Sequence, residues 1–253
     1  MANSDGLACR LLVDPPASGA WNMAVDEALV EDAAERGTCW LRFYRWGEPT
    51  LSLGYFQGHA ERLGHRASRQ CPLVRRVSGG GAILHDAEVT YCLAIPHAHP
   101  LAEDTSWLYT AVHEGLVETL YAFGIEGERL TTAPPAGGRE AEPFLCFLRR
   151  AVGDVVSGSA KICGSAQRRR RGAILQHGSF ILHRSEYAPE IAGLADLTGA
   201  KIDEAKLIGG WTEAIGRRLK LAIAPGPMDE RLMDAVRTLT LEKFSAESWT
   251  CRR

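Results

Sequence analysis

In "EVTYCLAI", residues 88–95, Val89, Tyr91, Leu93 and Ile95 fall on alternate positions, the period of a strand that buries one face. Leu108, Val112, Leu116 and Leu120 instead recur every four residues behind the capping stretch Asp104 to Ser106, the period of a long helix laid over such a sheet. An earlier helix is expected from Ser18, a good N-cap, to about Arg36, with Met23, Ala24, Leu29 and Val30 toward a core and Gly37 ending it. Strand patterns stand at "WLRFYRW", "PTLSLGYFQ" and "PLVRRV", then at "GDVVS", "AKICGSA" and "AILQHGSFIL", the last three joined by tight turns at "SGS" and "RRRRG". The stretch 131–143, "TTAPPAGGREAEP", reads as an insertion loop. From Pro189 onward the pattern is helical, with Pro225-Gly226-Pro227 separating two helices.

Strands in hairpin order with helices inserted between them predict an α+β fold whose sheet is mixed and mostly antiparallel. With 253 residues, 45% of them hydrophobic, the chain is expected to form one large domain with at most a small lobe. Residues 10–225 are assigned to that domain and 226–253 to a helical extension packed on it. Lys and Arg number 29 against 31 Asp and Glu, so basic surface can only be local and a nucleic-acid partner is not expected. No apolar run reaches the roughly 20 residues of a bilayer span and the first residues lack a secretory pattern, so a cytoplasmic protein without a membrane partner is expected. Seven cysteines, never spaced C-x-x-C, suggest neither a disulfide framework nor a zinc knuckle.

Candidate chemistry concentrates in two glycine-bearing blocks. In "RRVSGGGAILHD" three glycines follow a strand, where their N–H groups can line an anion or a carbonyl oxygen, although a plain hairpin turn would use the same residues. The spacing is not that of a P-loop, and no helix follows as a dinucleotide fingerprint requires. In "GSAKICGSAQRRRRGAILQHGS", Gly164-Ser165-Ala166 places small side chains within a strand, as a close-lying ligand demands, with Lys161 just ahead. Taken alone, Lys161 reads as an exposed strand lysine and Arg168 to Arg171 as a solvated turn. His97, His99, His177 and His183 lack the spacing of metal ligands, so no metal is expected; His85, close behind the glycines, is the better site candidate.

Four stretches, "NMAVDEAL" (22–29), "RWGEPTLSLGYFQ" (45–57), "RRVSGGGAILHDAEVTYCLAIP" (75–96) and "KICGSAQRRRRGAILQHGSFIL" (161–182), resemble in order the biotin/lipoate protein ligase catalytic-domain family. The resemblance is nearest to its cysteine-dependent octanoyltransferases, in which a Cys-Phe pair stands fifteen residues before the family lysine, as Cys146-Phe147 stands before Lys161. It implies that Cys146 is the nucleophile and that Lys161 favours its thiolate. It further implies a substrate lining of Arg76, Ser78, Gly79, Gly80, Gly81, His85, Gly164, Ser165, His177 and Gly178. Relatives of this kind carry arginine at the position of Gly81, and they place Pro, Ser and an aromatic pair where this chain has "LRRAVGD".

The activity so implied is octanoyl transfer from acyl carrier protein to a lysine of a lipoyl domain or the glycine cleavage H protein. A thioester is already activated, so neither nucleotide nor metal is expected. Arg168 to Arg171 would then steer the acidic carrier. The alternatives are an ATP-dependent lipoate-protein ligase using the same lysine, and a non-catalytic acyl-protein-binding or relay module.

Overall fold

The computed structural model describes residues 6–132 and 143–252. In chain order its strands are β1 (Leu7–Val13), β2 (Cys39–Tyr44), β3 (Thr50–Leu53), β4 (Leu73–Arg75), β5 (Ile83–His85), β6 (Glu88–Ile95), β7 (Glu128–Arg129), β8 (Val155–Ser157), β9 (Ala160–Arg170), β10 (Ala173–Ile181) and β11 (Leu221–Pro225). Its helices are α1 (Gly19–Arg36), α2 (Thr105–Ala122), α3 (Leu194–Thr198), α4 (Glu204–Leu219), α5 (Glu230–Leu239) and α6 (Glu247–Thr250). Eight strands form one sheet in the order β11-β1-β2-β6-β10-β9-β8-β7, parallel at β11-β1-β2 and antiparallel elsewhere. A small sheet, β4-β3-β5, stands beside it.

The periodicities set the layers. Val89, Tyr91, Leu93 and Ile95 face Leu108, Val112, Leu116 and Leu120 of α2, and Trp211 of α4 completes this core, its indole N–H donating to the Val112 carbonyl at 2.9 Å. Each such large apolar side chain, fully buried, contributes roughly 1.5–3 kcal/mol. The opposite face of the sheet takes Met23, Ala24, Leu29 and Val30 of α1, itself covered by Leu232 and Val236 of α5. Ser18 caps α1 by accepting from the Trp21 N–H, and Gly37 ends it at φ +70°. Because α1 has neighbours on both sides, Asn22, Asp26 and Glu27 are buried with its apolar residues, which the helical pattern did not anticipate.

Two expectations are corrected by the strand layout. The "RRRRG" stretch is not all turn: β9 continues to Arg170 against β10, and only Arg171 (φ +47°) and Gly172 (φ +88°) make the reversal. The tail is not wholly helical, since Leu221–Pro225 pairs in parallel with β1 and supplies an edge strand. Most of the expected insertion loop, 133–142, lies outside the described residues. Beyond α5 the chain returns to the small sheet, where Arg75 donates to the carbonyls of Thr250 (3.1 Å) and Arg252 (2.9 Å).

Candidate active site

Gly79, Gly80 and Gly81 do not close a simple hairpin. β4 and β5 flank β3 on opposite sides, so the connection between them crosses the end of β3. It does so in close contact, for a Cβ on Gly54 would lie 2.0 Å from the Gly80 carbonyl oxygen. Arg76 braces the crossing from inside, its guanidinium donating to the carbonyls of Ser52 (2.9 Å), Gly79 (3.2 Å) and Gly81 (2.9 Å). Burial pushes its pKa down to about 10.

The residue after the glycines anchors the stretch that carries the thiol. Ala82 donates to Phe144 O (3.1 Å) and Cys146 donates to Ala82 O (2.7 Å), which fixes the single 3₁₀ turn Cys146–Leu148 against the loop. Lys161, near the start of β9, then brings its Nζ to 3.9 Å from the Cys146 Sγ. Its side chain is only 6% exposed and forms an ion pair with Asp154 at 3.0 Å, so the reading of Lys161 as an exposed strand residue is overturned. Asp154 is held in turn by the Tyr109 hydroxyl (3.2 Å) and the Ala151 N–H (2.7 Å). Gly164 is required beside this pair, since a Cβ there would meet Lys161 Cε at 2.3 Å and Nζ at 2.6 Å.

Cys146 and Lys161 stand on one slot of about 480 Å³, its open mouth included, within the roughly 300–1,000 Å³ of small-ligand sites. Arg76, Gly79, Gly80, His85, Gly164, Ser165, His177 and Gly178 share that lining with apolar Met23, Ile83 and Phe147. Two of the expected lining residues sit just behind it. Ser78 is fully buried and bonds His177 Nε2 at 2.5 Å, while Gly81 is packed on Cys146.

Three buried networks hold the walls. His177 Nδ1 lies 2.9 Å from Asp26, which also accepts from Arg42 (3.0 Å) and the Tyr44 hydroxyl (2.9 Å). Burial works to raise the pKa of Asp26, but the His177 hydrogen bond and the Arg42 charge outweigh it and hold the carboxylate below its ordinary value. His85 is stacked on Trp46 with ring centroids 3.9 Å apart, donates from Nδ1 to Glu88 (2.7 Å) and accepts from Ser52 at Nε2 (2.7 Å). Burial lowers its pKa and favours the neutral ring. On the α2 side, His113 donates from Nδ1 to the Gly153 carbonyl (2.6 Å) and accepts from Ser165 (2.6 Å). Burial drives its pKa down to about 4.

Among the residues around the slot that sequence reasoning passed over are Asp154 and Asp26, with His113 and Glu88 in the networks behind it. The hairpin "GDVVSGSAK" carried the signal for Asp154, because Val156 lies opposite Lys161 and brings the preceding aspartate alongside. Asp26 lies in "NMAVDEAL" next to Glu27, and a pair of adjacent acidic residues on a helix reads as a solvated face. Cys163, two residues from Lys161, is fully buried, and burial raises its thiol pKa far above the ordinary value. Gly81 has a spatial explanation in the divergent segment: the guanidinium carbon of Arg149 lies 3.3 Å from where a Gly81 Cβ would stand. The basic run is not a free patch either, since Arg170 pairs with Glu31 (2.6 Å) and Arg171 with Glu35 (2.8 Å). Among the described residues no group of three or more His, Cys, Asp or Glu side chains is placed to hold a metal ion, and no helix is long and apolar enough to cross a membrane.

The lipoyl protein ligase A/B catalytic domain matches residues 18–189. The chain belongs to that family. An octanoyltransferase LipM of Kyrpidia tusciae is 34% identical over 276 aligned residues, covering 96% of this chain and 98% of the relative. A second octanoyltransferase LipM, of Oceanobacillus iheyensis, is 41% identical over 177 residues, 68% of this chain and 63% of that one. In fold this chain aligns over 97% of its length with lipoate-protein ligase A bound with ATP (TM-score 0.75, 23% identity, 99% of that chain). It aligns equally far with the bi-partite lipoate protein ligase of Thermoplasma acidophilum (TM-score 0.73, 21% identity, 96% of that chain). These two likenesses establish the biotin/lipoate ligase architecture and nothing finer.

Proposed function

We propose that this chain is an octanoyltransferase of lipoate biosynthesis. It takes the octanoyl group from acyl carrier protein onto Cys146 and passes it to a lysine of a lipoyl-accepting protein such as glycine cleavage H protein. The observation that carries this reading is the 3.9 Å approach of Lys161 Nζ to Cys146 Sγ at the lining of one slot, in a chain whose full-length relative is an octanoyltransferase.

The chemistry follows from the positions. The ammonium stabilises negative charge on sulfur, and the ion pair with Asp154 holds it in position beside the thiol. The thiolate attacks the carrier thioester carbon. A carbon–sulfur bond forms to Cys146 as the one to the carrier breaks, and the carrier sulfur takes up the proton that Cys146 gave. N–H groups of the crossing glycine loop are suited to the passing oxyanion. A neutral acceptor amine then attacks the acyl-enzyme, an amide bond forms, and the proton lost from nitrogen returns to Cys146. The amide is the more stable product, so the second transfer runs downhill without nucleotide.

Intact-mass measurement after incubation with octanoyl-acyl carrier protein tests the proposal. An octanoyl adduct is expected on Cys146, removed by hydroxylamine, absent in Cys146→Ala, and chased onto the acceptor lysine. Acylation that requires free octanoate and magnesium-ATP and persists in Cys146→Ala would make the chain a ligase instead. Stable complex formation with the carrier and no acyl transfer would make it a relay module.

A further inference from the structure

Of the four consecutive arginines, Arg168 is the exception. Arg169 donates to the carbonyls of Ala102 (3.0 Å) and Gly172 (3.3 Å), and Arg170 and Arg171 are paired with α1 carboxylates. Among the described residues the Arg168 guanidinium has no hydrogen bond or ion pair, and lies over the Tyr55 ring at 5.1 Å.

It faces a second cleft, of about 450 Å³ with its mouth, that also takes in Lys243 and Trp249. The cleft is positively charged by arithmetic. Its carboxylate Glu27 is matched by Lys243 (2.7 Å) and neighbouring Glu31 by Arg170 (2.6 Å). Among the described residues no carboxylate compensates Arg168 or Arg252, the latter stacked on Tyr55 (3.9 Å) and Trp249 (4.0 Å), with one long bond to the Tyr55 carbonyl (3.5 Å) and a buried Nε that has no partner there.

This cleft is registered to the thiol. Gly164, against Lys161, and Ala166 line the reaction slot, and Arg168 is the next residue on that face of β9. Four residues of strand separate Gly164 from Arg168 by about 13 Å. The pantetheine arm of a carrier thioester is peptide-like, its sulfur and phosphorus joined through a little more than four residue-equivalents of chain, which extend to about 15 Å.

We infer that Arg168, with Lys243 and Arg252 behind it, is the subsite for the phosphate at the far end of a carrier protein's pantetheine arm. The inference rests on the function proposed above and adds where that substrate is recognised. A guanidinium over an aromatic face, with its N–H groups unspent, matches a phosphodiester that arrives while the thioester carbon reaches Cys146.

The test uses the full chain and four octanoyl donors: octanoyl-pantetheine, octanoyl-4′-phosphopantetheine, octanoyl-coenzyme A and octanoyl-acyl carrier protein. Thiol release should give a kcat/KM at least about tenfold higher for the phosphopantetheine than for the pantetheine thioester. Arg168→Gln should bring that ratio close to one, and Arg168→Lys should retain part of it. An unchanged ratio in Arg168→Gln, or a wild-type ratio of one, overturns the subsite while leaving the transferase reading intact. A coenzyme A thioester used as well as the carrier protein overturns the carrier as the source of the phosphate. Failure to turn over any of the four thioesters overturns the transferase reading and the subsite together.

Discussion

Asp154 and Asp26 are both about 1% exposed and both balance a buried cation, yet their surroundings differ in kind. Asp26 accepts from Arg42, His177 and Tyr44, and Arg42 also donates to Asp14 (2.7 Å) and to the Asn22 side chain (2.9 Å). Every polar neighbour there is spent on the protein, and the cluster bolts α1 to β2 and β10. Lys161 has one carboxylate and a sulfur 3.9 Å away. An ammonium has three donors, so part of its capacity is left for what enters the slot. Saturation suits a scaffold and incomplete satisfaction suits the proposed working site, although both are buried ion pairs at comparable depth.

The contrast can be broken most forcefully at Lys161. Lys161→Met should lower acyl transfer by about a thousandfold or more and slow alkylation of Cys146 by iodoacetamide at neutral pH; a rate within tenfold of wild type would place the activating charge elsewhere. Removing Asp154 leaves the buried Lys161 ammonium without a carboxylate, at a cost of about 3–5 kcal/mol in chemical denaturation, whereas Arg42 keeps Asp14 when Asp26 is removed and the cost there falls on His177 and Tyr44, which lose their acceptor. The two sites should then part company. Lys161→Met with Asp154→Leu should recover most of the stability while remaining inactive. Arg42→Met with Asp26→Leu should not, because His177, Tyr44, Asn22 and Asp14 are stranded.

A third test concerns pH. His113 has its pKa pushed down to about 4 by burial, against roughly 6.5 in the unfolded chain. The unfolded state therefore binds the extra proton between those values, and folding stability should fall as pH drops from about 6.5 toward 4, by about 3 kcal/mol in total. His113→Gln should flatten that part of the stability profile as followed by urea midpoints. The smallest effect is expected at Gly164→Ala, whose methyl group would displace Lys161. Transfer should drop by about a hundredfold with only a slight change in Tm.

The layers of the fold were legible because two periods, two and about four residues, were written cleanly into β6 and α2. β11 was not, since Leu221–Pro225 is a short edge strand whose partner lies more than two hundred residues earlier in the chain. The proximity of Cys146 and Lys161 was to be expected from their fifteen-residue spacing in a family resemblance, whereas local pattern alone assigned Lys161 to solvent. What hides such residues is that their meaning depends on pairing across the sheet. The four arginines show the same limit: their charges could be counted from the sequence, but which of them is neutralised depends on glutamates of α1 placed alongside by the fold.

The uninterrupted pairing of β9 with β10 has a consequence for how this chain can vary. Successive strand residues point to opposite faces, so one amino acid inserted or deleted between positions 164 and 168 would send the arginine at 168 to the wrong side. A one-residue change of length in this stretch therefore uncouples the arginine from the slot, whereas the reversal at 171 and 172 has no such parity to keep.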